Sequence, residues 1–111
     1  RGADDQTLIF DEVDAGIGGQ TAEVVGHKLR DLARYHQILC VTHLPQIAAF
    51  GQAHFQVSKG ETEGRTITSV QRLQGEMVVE EIARMLGGKG VSAATRTHAE
   101  EMMQKAKGKA E

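Results

Sequence analysis

The stretch Leu8-Ile9-Phe10-Asp11-Glu12 ends a short apolar run in two adjacent carboxylates. Apolar throughout, with charge only at its end, the run suits a strand buried on both faces of a parallel sheet. The carboxyl ends of such strands are where open α/β sheets take their ligands. Successive strand side chains point to opposite faces, so Asp11 and Glu12 address different targets. In phosphoryl transfer, an aspartate at this edge holds Mg²⁺, directly or through water, beside the β- and γ-phosphates. The glutamate after it is placed to polarise an attacking water as general base. The same pair also fits a plain structural role, with Asp11 capping a turn and Glu12 solvated.

Val41-Thr42-His43 ends a second apolar run, Ile38–Thr42, beyond one intervening helical pattern. A histidine here can hydrogen-bond a terminal phosphate or the attacking water. It can equally be a polar residue opening the next helix. His27, His36, His54 and His98 show how often histidine occurs in this chain. If neighbouring strands of one sheet end in Asp-Glu and in His, the two clusters share a rim. Between them lies Val13-Asp14-Ala15-Gly16-Ile17-Gly18-Gly19, a loop able to bring backbone N–H groups close to a phosphate or to another subunit. It also works as a simple tight connection.

These residues need a scaffold, and the remaining pattern supplies one. Val25, Leu29, Leu32 and Ala33 fall at helical spacing, so the segment from about Gln20 to Tyr35 reads as an amphipathic helix. Strand, helix and strand make a βαβ unit of a parallel sheet. Leu44–Phe50 forms a short helix with Pro45 in its first turn. His54–Ser58 and Thr66–Val70 then flank a turn at Gly60–Gly64 and read as an antiparallel hairpin with one wetter face. Val78, Val79, Ile82, Met85 and Leu86 give a helix stopped by Gly87-Gly88. Ser92 is the N-cap of a last helix, Ala93 to about Lys107.

At 111 residues, Lys+Arg 13 against Asp+Glu 15 and a net charge of -2, the chain has room for one small domain. The charge balance excludes a module that grips nucleic acid by bulk electrostatics alone. With aromatics at 4% and no Trp, the core must be aliphatic. No apolar run approaches the roughly 20 residues of a membrane span, so no membrane partner is expected. The single Cys excludes an internal disulfide framework and a multi-cysteine zinc site, which favours a reducing compartment. The chain opens on Arg1 and not Met, which points to a piece of something larger. A Walker A loop, Gly-x-x-x-x-Gly-Lys-[Ser/Thr], is absent. Its nearest lookalike, Gly60 to Thr66, has the wrong spacing, Arg65 for Lys and two acids that repel phosphate.

Taken together, Asp11-Glu12-Val13-Asp14, the glycine-rich loop, the helix and Val41-Thr42-His43 resemble the C-terminal half of an ABC-type ATPase head. The Asp-Glu-Val-Asp form looks like the SMC branch of that family more than the transporter branch. The strings Leu8–Gly19 and Cys40–Ala49, and later Glu80–Gly88, are similar to bacterial SMC-like repair proteins, and the resemblance runs from residue 7 to about 103. It implies an α/β fold that is the C-terminal part of a P-loop ABC-type head, residues 1–111 forming one lobe. It implies ATP and Mg²⁺ as cofactors, Asp11 on the metal, Glu12 activating water and His43 on the γ-phosphate. Asp14, Gly16, Gly18 and Gly19 would form the D-loop, which in the family touches the opposing head, although Gly-Ile-Gly-Gly departs from the transporter pattern. Implied partners are the N-terminal half of the same head, a second head in a homodimer, and double-stranded DNA ends. The implied setting is cytoplasmic, at the nucleoid, with ATP hydrolysed at a composite head–head site during double-strand break repair and recombination. Without Walker A and the signature motif, the isolated 111 residues are expected to be inactive. Another ABC-type motor, or a lobe that only assembles, remains an alternative.

Overall fold

The structure, a computed structural model, describes residues 6–11, 18–87 and 90–108. Strand β1 (Thr7–Asp11) leads to helix α1 (Gly19–Leu32) and back to strand β2 (Gln37–Val41). The two strands pair in parallel, Thr7 with Gln37 through Asp11 with Val41. A backbone bond from Gln37 N–H to the Gln6 carbonyl, 3.1 Å, opens the ladder. Helix α1 stops three residues short of Tyr35. There Ala33, Arg34, Tyr35 and His36 turn back onto the carbonyls of Leu29, Asp31 and Leu32, satisfying the orphan acceptors of the last turn.

The expectation of strands buried on both faces needs correction. Leu8, Phe10, Ile38 and Cys40 share a half-buried face, whereas Ile9, Leu39 and Val41 are 70%, 47% and 57% exposed on the other. Only two strands form this sheet among the described residues, and nothing described covers the second face. The apolar composition is that of a doubly covered strand; the covering here is single.

Helix α2 (Pro45–Ala48) follows with Pro45 at its first position, where the missing N–H costs nothing. Strands β3 (His54–Thr62) and β4 (Arg65–Leu73) make an antiparallel ribbon longer than the sequence pattern indicated. Gly60, Glu61 and Thr62 continue the strand, and the turn shrinks to Glu63-Gly64, with φ of 53° and 77°. Two successive positive φ values make the two-residue turn whose twist matches that of the flanking strands.

Helix α3 (Glu76–Gly87) and helix α4 (Ala93–Gly108) pack together and carry the core. Val78, Val79, Ile82 and Ala83 repeat at helical spacing on α3 and meet Leu73 and Ala99, with Ala48, Met85, Leu86 and Met103 packed around them. The core is aliphatic, as the composition required. Ser92 caps α4 by accepting from the Thr95 N–H at 3.1 Å. On the surface, Glu81 accepts from Gln56 of the ribbon and from Arg84 one turn on, at 2.9 Å each, tying β3 to α3. That hydrogen bond holds the Arg84 guanidinium above its ordinary range. The molecule measures 46 × 36 × 29 Å.

Candidate functional site at the strand rim

The ladder fixes the rim. Because Asp11 is the register partner of Val41, β1 and β2 end level with one another. Asp11 is exposed and alternates onto the same open face as Ile9, Leu39 and Val41. Two residues beyond Val41 stands the exposed His43, flanked by Thr42 and Leu44, whose N–H donates to Thr42 Oγ1 at 3.0 Å. Pro45 then starts α2 with its φ preset. The structure therefore brings Asp11 and His43 to one rim, as the sequence required if both strands joined one sheet.

Gly18 stands at the N-cap of α1 with φ −88°, ψ 174°, and its carbonyl accepts the Ala22 N–H at 2.9 Å. Gly19 is the first residue of the helix. The first turn has neither a side-chain cap nor an acidic residue. A β-carbon at Gly18 would meet nothing within 4 Å, and its backbone angles suit any residue. Nothing described within the chain thus calls for glycine there. Glu12, Asp14 and Gly16 lie outside the described residues.

Sequence reasoning passed over Gly26, and took Gln46 only as a residue close after His43 that could face the site without being catalytic. Gly26 is where α1 lies against Phe50, since a β-carbon there would stand 2.3 Å from the ring. A glycine in mid-helix was the available signal, because it costs about 1 kcal/mol relative to alanine unless packing demands it. Gln46 has a buried side-chain oxygen that accepts no hydrogen bond. No sequence pattern signals that.

Parallel strands linked by a helix, then a hairpin and two packed helices, form a fold shared with part of a solved SMC ATPase chain. A solved chain from work on the structural biochemistry of ATP-driven dimerization and DNA-stimulated activation of SMC ATPases superposes with a TM-score of 0.61 at 18% identity, covering 76% of this chain and 50% of that one. In sequence the chain is similar to RecN proteins. It is 50% identical over 98 residues to the DNA repair protein RecN of Xylella fastidiosa, 46% over 100 to that of Mycobacterium tuberculosis and 43% over 97 to that of Halalkalibacterium halodurans. Those matches take in 88%, 90% and 87% of this chain but only 18%, 17% and 17% of the relatives. The chain therefore spans less than a fifth of the curated relatives it matches. No protein-family profile matches it.

Proposed function

We propose that residues 1–111 are the C-terminal lobe of an SMC-like ATPase head that acts on DNA ends in double-strand break repair and recombination. The observation that carries this reading is the shared rim, where Asp11 ends β1 level with the end of β2 and His43 follows two residues on. Supporting it are the relatives, which are DNA repair proteins.

The residues present suit Mg²⁺. The metal takes hard oxygen donors and is commonly held by one or two carboxylates, with phosphate and water completing its shell. Asp11 offers one exposed carboxylate of that kind. When bound, the ion neutralises charge on the β- and γ-phosphates of ATP. Glu12 accepts the proton of the attacking water, whose oxygen then forms the new bond to the γ-phosphorus as ADP departs. His43 donates a hydrogen bond to a γ-phosphate oxygen.

The Walker A cradle and the signature motif belong to other parts of the assembly, the N-terminal half of the same head and a second head. The open face of Ile9, Leu39 and Val41 supports the first of these partners, since three large apolar side chains on one side of a two-stranded sheet are suited to being covered. Gly18 supports the second, because a backbone with open space over it admits close approach by another chain. Asp14, Gly16 and Gly19 would serve the same contact. ATP binding then closes the heads and hydrolysis releases them, in the cytoplasm, at the nucleoid.

Substituting Glu12→Gln in the full-length protein tests the reading. ATP turnover is expected to fall about 100-fold or more while ATP-dependent head dimerisation persists. Unchanged turnover would remove Glu12 as the base.

A further inference from the structure

The chain anchors His43 from both directions. Before it, Val41 closes the β1–β2 ladder as the register partner of Asp11. After it, Leu44 is the N-cap of α2, and its carbonyl accepts the N–H groups of Ile47 and Ala48 at 3.1 Å each. Pro45 follows, buried, with its φ preset. Thr42 and His43 therefore span from a fixed strand end to a fixed helix start.

One hydrogen bond runs across that span, from the Leu44 N–H to Thr42 Oγ1 at 3.0 Å. Covalent connectivity makes it a ring. The ring passes from the hydroxyl through Cβ and Cα of Thr42, over the next peptide, along the whole His43 backbone and back to the Leu44 nitrogen. Both soft dihedrals of His43, φ and ψ, lie inside it. The other free torsions in the ring are ψ and χ1 of Thr42, and χ1 is stiff because threonine is β-branched. Thr42 is half-buried whereas His43 is exposed. The exposed residue thus takes its backbone geometry from a neighbour that is partly packed. Without the ring, His43 would surrender backbone freedom each time its side chain engaged a ligand.

We propose, on the reading of this rim as an ATPase site, that Thr42 is a positioning residue for His43. Its hydroxyl fixes the His43 backbone, so that the imidazole meets the γ-phosphate of ATP with less ordering left to do. In this role Thr42 acts through His43 and touches neither nucleotide nor metal. What the role requires is an acceptor on Cβ, which threonine and serine supply and valine, of similar shape, does not.

ATP turnover by the full-length protein tests this in Thr42→Val, Thr42→Ser, His43→Ala and the Thr42→Val/His43→Ala pair, with thermal melts alongside. Thr42→Val should lower kcat about tenfold, and Thr42→Ser should stay within about threefold of wild type. In the His43→Ala background, Thr42→Val should cost less than about twofold, because a residue that acts through another then has nothing to act on. Thr42→Ala also removes the hydroxyl, and it takes the place of Thr42→Val should the valine protein melt below the assay temperature. Wild-type kcat without the hydroxyl, serine no better than valine, or an undiminished tenfold loss in the His43→Ala background would each overturn the positioning role. With His43→Ala itself slow, those results leave the ATPase reading standing. Wild-type kcat in His43→Ala would instead remove His43 from the γ-phosphate, and the role of Thr42 with it.

Discussion

Asp11 and Val41 are register partners in the parallel pair β1–β2, so the carboxylate ending the first strand stands level with the residue two before His43. Thirty residues separate the partners in sequence, and the ladder alone brings them together. One slip of register would move Asp11 away from the end of β2. The spacing of the rim is thus set by the backbone and not by the side chains of Asp11 and His43.

Asp11→Asn keeps the shape of the side chain and removes its charge. Because Asp11 is exposed at a strand end, the melting behaviour should change by no more than about 0.5 kcal/mol. Mg²⁺-dependent ATP turnover in the full-length protein should fall about 100-fold or more. Thermal melts beside phosphate-release assays separate the two effects, and wild-type turnover in the variant would remove Asp11 as the metal ligand.

Leu39 is 47% exposed here. If the face it shares with Ile9 and Val41 is covered in the whole head, Leu39→Asp should destabilise the full-length protein by about 2 kcal/mol or more through burial of an unpaired charge. A change within about 0.5 kcal/mol in denaturant unfolding is what a solvated position gives, and would argue against a covering lobe.

Gly26→Ala sets two effects against each other. Helix propensity favours alanine by about 0.5–1 kcal/mol. Against that, the new methyl would stand 2.3 and 2.6 Å from Cδ2 and Cε2 of Phe50, a ring already engaged by His27 and Arg30. Overpacking of this kind costs about 1–3 kcal/mol, so the variant should be less stable on balance. Phe50→Leu in the same chain should recover part of the loss, and a Gly26→Ala protein that melts higher than wild type would contradict the contact.

Glu63 holds φ 53° beside Gly64 at 77° in the ribbon's tip. Asparagine tolerates that region better than glutamate, and Asn-Gly is the favoured pair for this turn. Glu63→Asn should therefore stabilise by a few tenths of a kcal/mol up to about 1, read as a rise in denaturation midpoint.

Ser92→Ala removes the acceptor for the Thr95 N–H at the start of α4. The cost should be about 1 kcal/mol, while Ser92→Gly should lose only a few tenths. Equal losses from the two substitutions would mean that the hydroxyl is not the cap.

Much of this molecule is written locally. The 3.6-residue repeat of Val78, Val79 and Ile82 specifies α3 and its buried face, and Ser92 marks the start of α4 because a capping hydroxyl acts on the turn beside it. Glu63 concealed the hairpin tip: a turn needing two positive φ values signals itself through Asn or Gly, and glutamate signals neither, so the strands ran longer than Gly60 implied. The end of α1 was similarly overrun, because the chain turns back on its own carbonyls without a glycine or proline to announce it.

The sequence by itself singled out Asp11, which ends one apolar strand, and His43, two residues past the end of the other, as candidates for chemistry at the rim. It also determined an aliphatic core and the order of strands and helices. Only the tertiary structure decided that the two strands pair directly, that one of their faces stands open, and that Gln46 keeps a buried side-chain oxygen that accepts no hydrogen bond. The division has a physical cause. Periodicity and capping act over a few residues and can be read in order, whereas pairing, coverage and an unsatisfied buried oxygen depend on residues that meet only after the chain has folded.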